Sequence, residues 1–371
     1  MTLKKNDFFM KHFDNIFIYC FLSFLYLPSI FWFFIEPNLQ KEDIDSISKE
    51  QFPILNSLTV KEFPKEFDYW YSGHLPFRNK SIELYALMQY KILRNIETSK
   101  VVFGTDDWLF YCDKNDGDPI ADYKRINQFT PNELNIISDK LSLFKNYSKS
   151  HNAKFVFVIC PNKENVCLED NMPFILRAKS ISRTQQLIKY LKYNTDINVV
   201  YPIEELKQAK EKYPIYYKID THWNYVGGYI GTREVLSSLG VMAPDVSEFN
   251  IMPLEKNMFD LPNVLGNPSL FVESNAFKVS DFNEVKSLPA GIEENRFHCD
   301  KKNLPFKKIV MSRDSFGEAM MLPLAVNSED TFVVVRKYFK YDMIEKENAD
   351  LFILEICERY LYKILEDDFL K

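Results

Sequence analysis

The stretch IDTHWNYVGGYIGTREVL, Ile219 to Leu236, sets an acid two residues before a histidine, then adds Trp223, Asn224 and a glycine-containing helical pattern. A histidine works as a base only when something holds its tautomer and stabilises its charged form, and a carboxylate does both. Residues two apart in an extended segment project to the same side, so Asp220 and His222 can supply acid and base from one loop. The matching nucleophile is offered by KKIVMSRDSFGEAMMLPL, Lys307 to Leu324, which reads as a strand, a tight polar turn at Ser312 to Ser315 and a following helix. Ser315 would then sit at a helix N-terminus, where free N–H groups and the dipole stabilise an oxyanion. Simple helix capping by Asp314 or Ser315 explains the same junction, and the residues alone leave both readings open.

The chain has five histidines, of which His12 precedes a long apolar run. His151, in SKSHNAK, and His298, in NRFHCDKK, read as surface residues without an acid at short spacing on an ordered element. His74, in SGHLPFR, reads as a turn histidine or as a substrate contact. A metal triad built on Asp220, His222 and a distant acid is disfavoured, because the helical i, i+4 histidine pairing of zinc sites and any Cys–His cluster are lacking. No metal and no cofactor are expected. The six cysteines show no C-x-x-C spacing; Cys160 and Cys167 either bridge or remain buried thiols.

These residues need a scaffold, and alternating strand and helix patterns provide one. Lys154 to Cys160, Asn198 to Pro202, Lys307 to Ser312, Thr331 to Lys337 and Leu351 to Ile356 are short β-branched or aromatic runs. Helical patterns fall at Pro131 to Ser148, Ser180 to Tyr193 and Tyr225 to Leu239. Strands apolar on both faces and separated by helices predict an α/β fold, a mostly parallel sheet flanked by helices. Chemistry in such sheets gathers at the carboxyl ends of the strands, which is where Ser315 falls.

With 371 residues, 46% apolar and 15% aromatic, the chain can bury a full core. Its formal net charge of −6 gives no electrostatic reason to expect a nucleic-acid partner. Asn15 to Ile35 carries no charge over 21 residues, enough to span ~30 Å as a helix, with lysines before it and acids after it. That pattern predicts an uncleaved single-pass anchor with a cytoplasmic N-terminus and an exported remainder, a cleaved signal peptide being the competing reading. The expected organisation is residues 1–36 for the cytoplasmic N-terminus and transmembrane anchor, 37–66 for a stalk and 67–371 for the catalytic domain.

DTHWN before a glycine-containing helix and RDSF at a strand-to-helix turn resemble the paired signatures of the alginate O-acetyltransferase family, the AlgJ/AlgX type of SGNH-like domain. HLPFR (His74 to Arg78), VVFGTDDWLFY (Val101 to Tyr111), VICPNKENVC (Val158 to Cys167) and LFILEICERYL (Leu351 to Leu361) follow in the family's order, so the resemblance runs from about residue 67 to 361. It implies an SGNH-like (flavodoxin-like) fold with Ser315 as nucleophile, His222 as general base and Asp220 as its orienting acid. The implied reaction carries acetyl from a donor to the serine and on to a hydroxyl of a cell-surface polysaccharide. An esterase and a non-catalytic binding subunit are the alternatives. Arg336 is a candidate oxyanion donor, Arg313 stands where related hydrolases carry glycine, and Asn224, Trp108 and Trp223 are candidate substrate contacts. The resemblance further implies a polytopic acyl-transporting membrane protein as partner and a periplasmic site on the bacterial inner membrane.

Overall fold

The computed structural model describes residues 15–23, 26–27, 52–54, 61–74, 78–93, 98–172, 175–256, 258–279 and 282–369. Residues 1–93 and 94–371 form two separate compact units. Helices Phe63–His74 and Arg78–Leu87 belong to the first. Among the described residues no helix is long and apolar enough to cross a membrane. Residues 15–23 and 26–27 of the expected anchor are helical and exposed. Residues 24–25 and 28–35 of it, and 37–51 and 55–60 of the expected stalk, lie outside the described residues.

The second unit is built on a seven-stranded sheet. Its strands are β1 (Lys154–Cys160), β2 (Asn198–Val200), β3 (Val285–Leu288), β4 (Glu294–Cys299), β5 (Phe306–Arg313), β6 (Ser328–Val335) and β7 (Leu351–Cys357), in the order β2-β1-β7-β5-β6-β4-β3. The first five in that order run parallel. β4 and β3 extend the edge antiparallel, so the sheet is mixed.

Alternation along the parallel strands feeds two cores. Val156, Val158 and Cys160 of β1 join Ile309, Met311 and Ile353 on one face. Phe155, Phe157 and Ile159 join Val310, Phe352 and Leu354 on the other. Every residue of β7 is buried, as a strand covered on both faces requires. Helices α1 (Pro131–Ser150) and α3 (Arg183–Asn194) cover the second face through Ile137, Leu141, Phe144, Leu187 and Leu191. The first face is covered by α2 (Lys163–Asn171) and α4 (Tyr225–Ser238), through Val166, Leu168, Val226, Ile230 and Leu236. Local signals set the helix starts: Thr130 with Glu133, and Ser182 with Gln185, form capping boxes that satisfy otherwise free N–H groups.

One local expectation changes, and two strands join those read from the sequence. The polar runs VKSL and ENRFHC are strands, formed by pairing at a partly exposed edge rather than by burial on two faces. The segment after Ser315 is a short 3-10 helix, Phe316–Met320, followed by a five-residue α-helix, Met321–Ala325. So short a segment develops little macrodipole, which leaves individual N–H groups as the oxyanion donors. The cysteines are all free thiols, five of them buried, so Cys160 and Cys167 are not bridged.

Candidate active site

Three side chains meet at the carboxyl edge of the sheet. The Ser315 Oγ lies 2.7 Å from His222 Nε2, and His222 Nδ1 lies 2.6 Å from Asp220 Oδ1. The carboxylate accepts the proton on Nδ1, so the Nε2 lone pair faces the serine hydroxyl. Asp220 and His222 are not an extended pair: Ile219 to His222 is a bend in which Asp220 Oδ1 also accepts the His222 backbone N–H at 3.0 Å. The acid therefore fixes both the backbone and the ring of the base.

The serine is held by the sheet. β5 delivers Arg313, and Asp314 then spans the turn: its Oδ1 accepts the Phe316 N–H at 2.9 Å and its Oδ2 the Cys357 N–H at 2.6 Å. The Asp314 N–H donates to Glu355 Oε2 at 2.8 Å. Glu355 is fully buried on β7, and burial together with the charge of Asp314 pushes its carboxyl well above the usual range. Among the described residues the Ser315 N–H meets no acceptor, which leaves it available to an oxyanion.

The histidine loop is held by side chains. Lys163, buried at the start of α2, donates from Nζ to the Lys218 carbonyl at 2.8 Å and the Asp220 carbonyl at 2.9 Å. Its ammonium packs over the rings of Trp108 and Phe110, and burial lowers its pKa. Glu273 accepts the N–H groups of Lys218 and Ile219, each at 3.0 Å. Lys256 Nζ sits 3.0 Å from Asp220 Oδ2. Burial opposes ionisation of Asp220, but the hydrogen bond and charge of His222, with those of Lys256, outweigh it and hold the carboxyl well below its ordinary value. Asp260 moves the opposite way, raised by burial and by the charge of Asp220. It accepts the Thr221 N–H at 2.8 Å and lies 3.7 Å from His222 Nδ1.

A tryptophan and a set of glycines join the two halves. Trp223 is buried and donates from Nε1 to the Phe316 carbonyl at 2.9 Å, tying the histidine loop to the serine turn. Asn224 caps α4, its Oδ1 accepting from Val226 and Gly227 while its Nδ2 donates to the Pro214 and Asn275 carbonyls. A Cβ on Gly228 would lie 2.4 Å from the Ala319 Cβ, so the glycine lets α4 approach the segment that follows Ser315. The Gly-Gly run after DTHWN is thus a close-approach surface.

The expected substrate contacts fare unevenly. Trp223 lines the cleft with its Nε1 already bonded to the Phe316 carbonyl, whereas Asn224 stays out of the lining and is spent on the α4 cap and two carbonyls. Arg336, at the end of β6, points to Asp314, with its guanidinium 3.7 Å from Oδ2, and is not among the residues lining the cleft. Arg313 donates to the Asp314 carbonyl at 3.1 Å and likewise stays out of the lining. His74 ends its helix in the first unit, and its side chain lies outside the described residues. His298 does have acids, Asp330 at 2.9 Å and Asp300 at 3.3 Å, but at the sheet edge. Ligand atoms of Asp220, His222 and Asp260 lie within 4.8 Å of one another. The Lys256 ammonium on Asp220 and the serine on Nε2 are arranged for proton transfer, and a cation there would have to compete with Lys256.

Sequence reasoning assigned no role to Lys163, Lys256, Glu273 or Asp260. Lys163 belonged to a recognisable PNK run after β1; the other three come from a long irregular segment without periodicity.

Residues 101–252 match the family model described as SGNH hydrolase-like domain, acetyltransferase AlgX. The match includes Asp220 and His222 and ends before Ser315. Among solved structures, Bacillus cereus PatB1, also seen with a sulfonyl adduct, aligns at a TM-score of 0.51 and 16% identity over 72% of this chain and 98% of its own. A DHHW family protein from Eubacterium siraeum aligns at a TM-score of 0.52 and 14% identity over 74% and 98%. No curated protein sequence matches. The structural likenesses extend the shared fold beyond the segment that matches the SGNH hydrolase-like, AlgX-type acetyltransferase model.

Proposed function

We propose that the chain is an extracytoplasmic O-acetyltransferase in which Ser315 carries an acetyl group from a donor to a hydroxyl of a cell-surface polysaccharide. The observation that carries this reading is the continuous hydrogen-bonded set Ser315 Oγ, His222 and Asp220, with separations of 2.7 and 2.6 Å, opening on a cleft of about 330 Å³. Ser315 Oγ attacks the acyl carbonyl as its proton passes to His222 Nε2, and the donor's leaving group departs with that proton. The acetyl group is then an ester on Ser315. A sugar hydroxyl attacks this ester, His222 accepts its proton, and the same proton returns to Ser315 Oγ as the acetylated sugar leaves. Asp220 stabilises the transient imidazolium in both halves, and the Ser315 N–H is placed to receive the oxyanion.

The apolar run Asn15 to Ile35 is the proposed tether, with a polytopic acyl-transporting membrane protein as the source of the acyl group. Ser315 is exposed, so water can compete with the sugar. An assay with a chromogenic acetyl ester, run with and without oligosaccharide, separates the outcomes. Transfer predicts an acetylated sugar and faster chromophore release when sugar is present. Release that ignores the sugar, with free acetate as the sole product, means an esterase.

A further inference from the structure

We propose that the acceptor entering this cleft is an uncharged glycan and that a polyuronate is excluded; the proposal rests on the transfer reading above. Four charged residues besides His222 line the cleft: Asp220, Glu255, Glu318 and Lys256. The single lysine is already committed, with its Nζ 3.0 Å from Asp220 Oδ2 and 4.3 Å from the centroid of the Tyr217 ring. Glu255 and Glu318 are both exposed, and among the described residues neither has a cationic partner; Glu318 accepts only the Tyr225 hydroxyl, at 3.3 Å. Arg313 is near enough to Tyr225 to act on its hydroxyl, but its own hydrogen bond goes to the Asp314 carbonyl. Among the described residues the mouth of the cleft therefore carries two carboxylates without an ion-pair partner, within the short range over which charge is weakly screened.

Ionised carboxylates only accept hydrogen bonds, so they complement a ligand rich in hydroxyl donors. Tyr225, half-buried on the same wall, adds an aromatic surface of the kind that receives the face of a sugar ring. A uronate brings a third negative charge and further acceptors to the same place. Like-charge repulsion at such distances amounts to tenfold or more in acceptor selectivity, roughly. The proposed acceptor is a neutral hexose or N-acylated hexosamine polymer.

The test uses the full chain in detergent with 4-nitrophenyl acetate as donor and neutral or uronate oligosaccharides of equal length as acceptors. Nitrophenolate release reports acylation, and mass spectrometry of the sugars reports transfer. At low salt the neutral acceptor should show at least about tenfold higher kcat/KM, and the gap should narrow as salt is raised. The double variant Glu255→Gln, Glu318→Gln should narrow the low-salt gap in acceptor kcat/KM, each acceptor being compared at the variant's own rate of nitrophenolate release. A uronate acetylated as well as the neutral sugar, with normal acylation, overturns the acceptor assignment and leaves transfer intact. Failure of the donor to acylate Ser315 overturns the transfer reading and this assignment with it.

Discussion

The serine turn and the histidine loop meet through the His222–Ser315 and Trp223–Phe316 hydrogen bonds, yet they are fixed by different means. Ser315 follows directly on β5, a central strand, and its turn is tied to the neighbouring β7 by main-chain N–H groups and the carboxyls of Asp314 and Glu355. His222 follows no strand of the main sheet. Its loop is irregular, and the side chains of Lys163, Glu273, Lys256 and Asp260 hold it. The nucleophile inherits the rigidity of the sheet, whereas the base depends on a few buried and half-buried polar contacts, each of which can be removed separately.

Direct removal of the chemistry gives the largest effect. Ser315→Ala and His222→Ala should each lower acyl transfer on the order of 10⁶-fold. Because Ser315 is exposed, Ser315→Ala should leave the unfolding free energy within about 0.5 kcal/mol of the parent. Polymer acetylation that survives either substitution would show that the two segments do not act together.

Next comes the support of the loop. Lys163→Met keeps length and removes both carbonyl contacts; the Lys218 carbonyl keeps the Leu109 N–H, but the buried Asp220 carbonyl is left unpaired, at a cost of about 1–3 kcal/mol. Urea denaturation should show that loss, and transfer should fall roughly tenfold or more because the Asp220 backbone is released. An equal loss of stability with unchanged turnover would mean that Lys163 supports the fold but not the alignment. Gly228→Ala probes the seam between the regions: its Cβ would meet Ala319 at 2.4 Å, and overpacking of that kind costs about 1–3 kcal/mol. Thermal denaturation measures it, and a neutral result would show that α4 has room to retreat.

The smallest effect belongs to the serine turn. The folded state holds the proton on Glu355 that the unfolded chain releases near pH ~4.3. The unfolded state thus binds fewer protons above that point, and stability falls as pH rises toward the raised folded value. Glu355→Gln cannot ionise, so it should lose less stability than the parent as pH rises above about 5 in urea titrations. Parallel slopes for the two proteins would contradict the assignment of a neutral Glu355.

The same asymmetry decides what could be read from sequence. β1, β5 and β7 announce themselves as apolar runs because both of their faces are buried, and the serine could be located by counting from the end of β5. Asp220 and His222 were legible as a pair because two functional groups stood two residues apart, although a bend rather than an extended backbone brings them together. Lys256 and Asp260 were not legible, since an irregular chain must return to the loop before their charges matter. The structural duties of Trp223 and Asn224 were hidden for a related reason: indole and amide groups suit sugars, but they equally suit a carbonyl across a seam and a helix cap. Arg336 was placed at the correct edge of the sheet, and its direction, toward Asp314, depends on packing that no spacing encodes.

Acylation of the serine is the event on which everything else turns. Peptide mass spectrometry of the full chain, quenched during turnover of an activated acetyl ester, should find one acetyl group on the peptide containing Ser315. Added neutral oligosaccharide should discharge it, and Ser315→Ala should abolish it. An acetyl group that sits elsewhere, or persists in Ser315→Ala, would contradict a serine-borne transfer at this cleft.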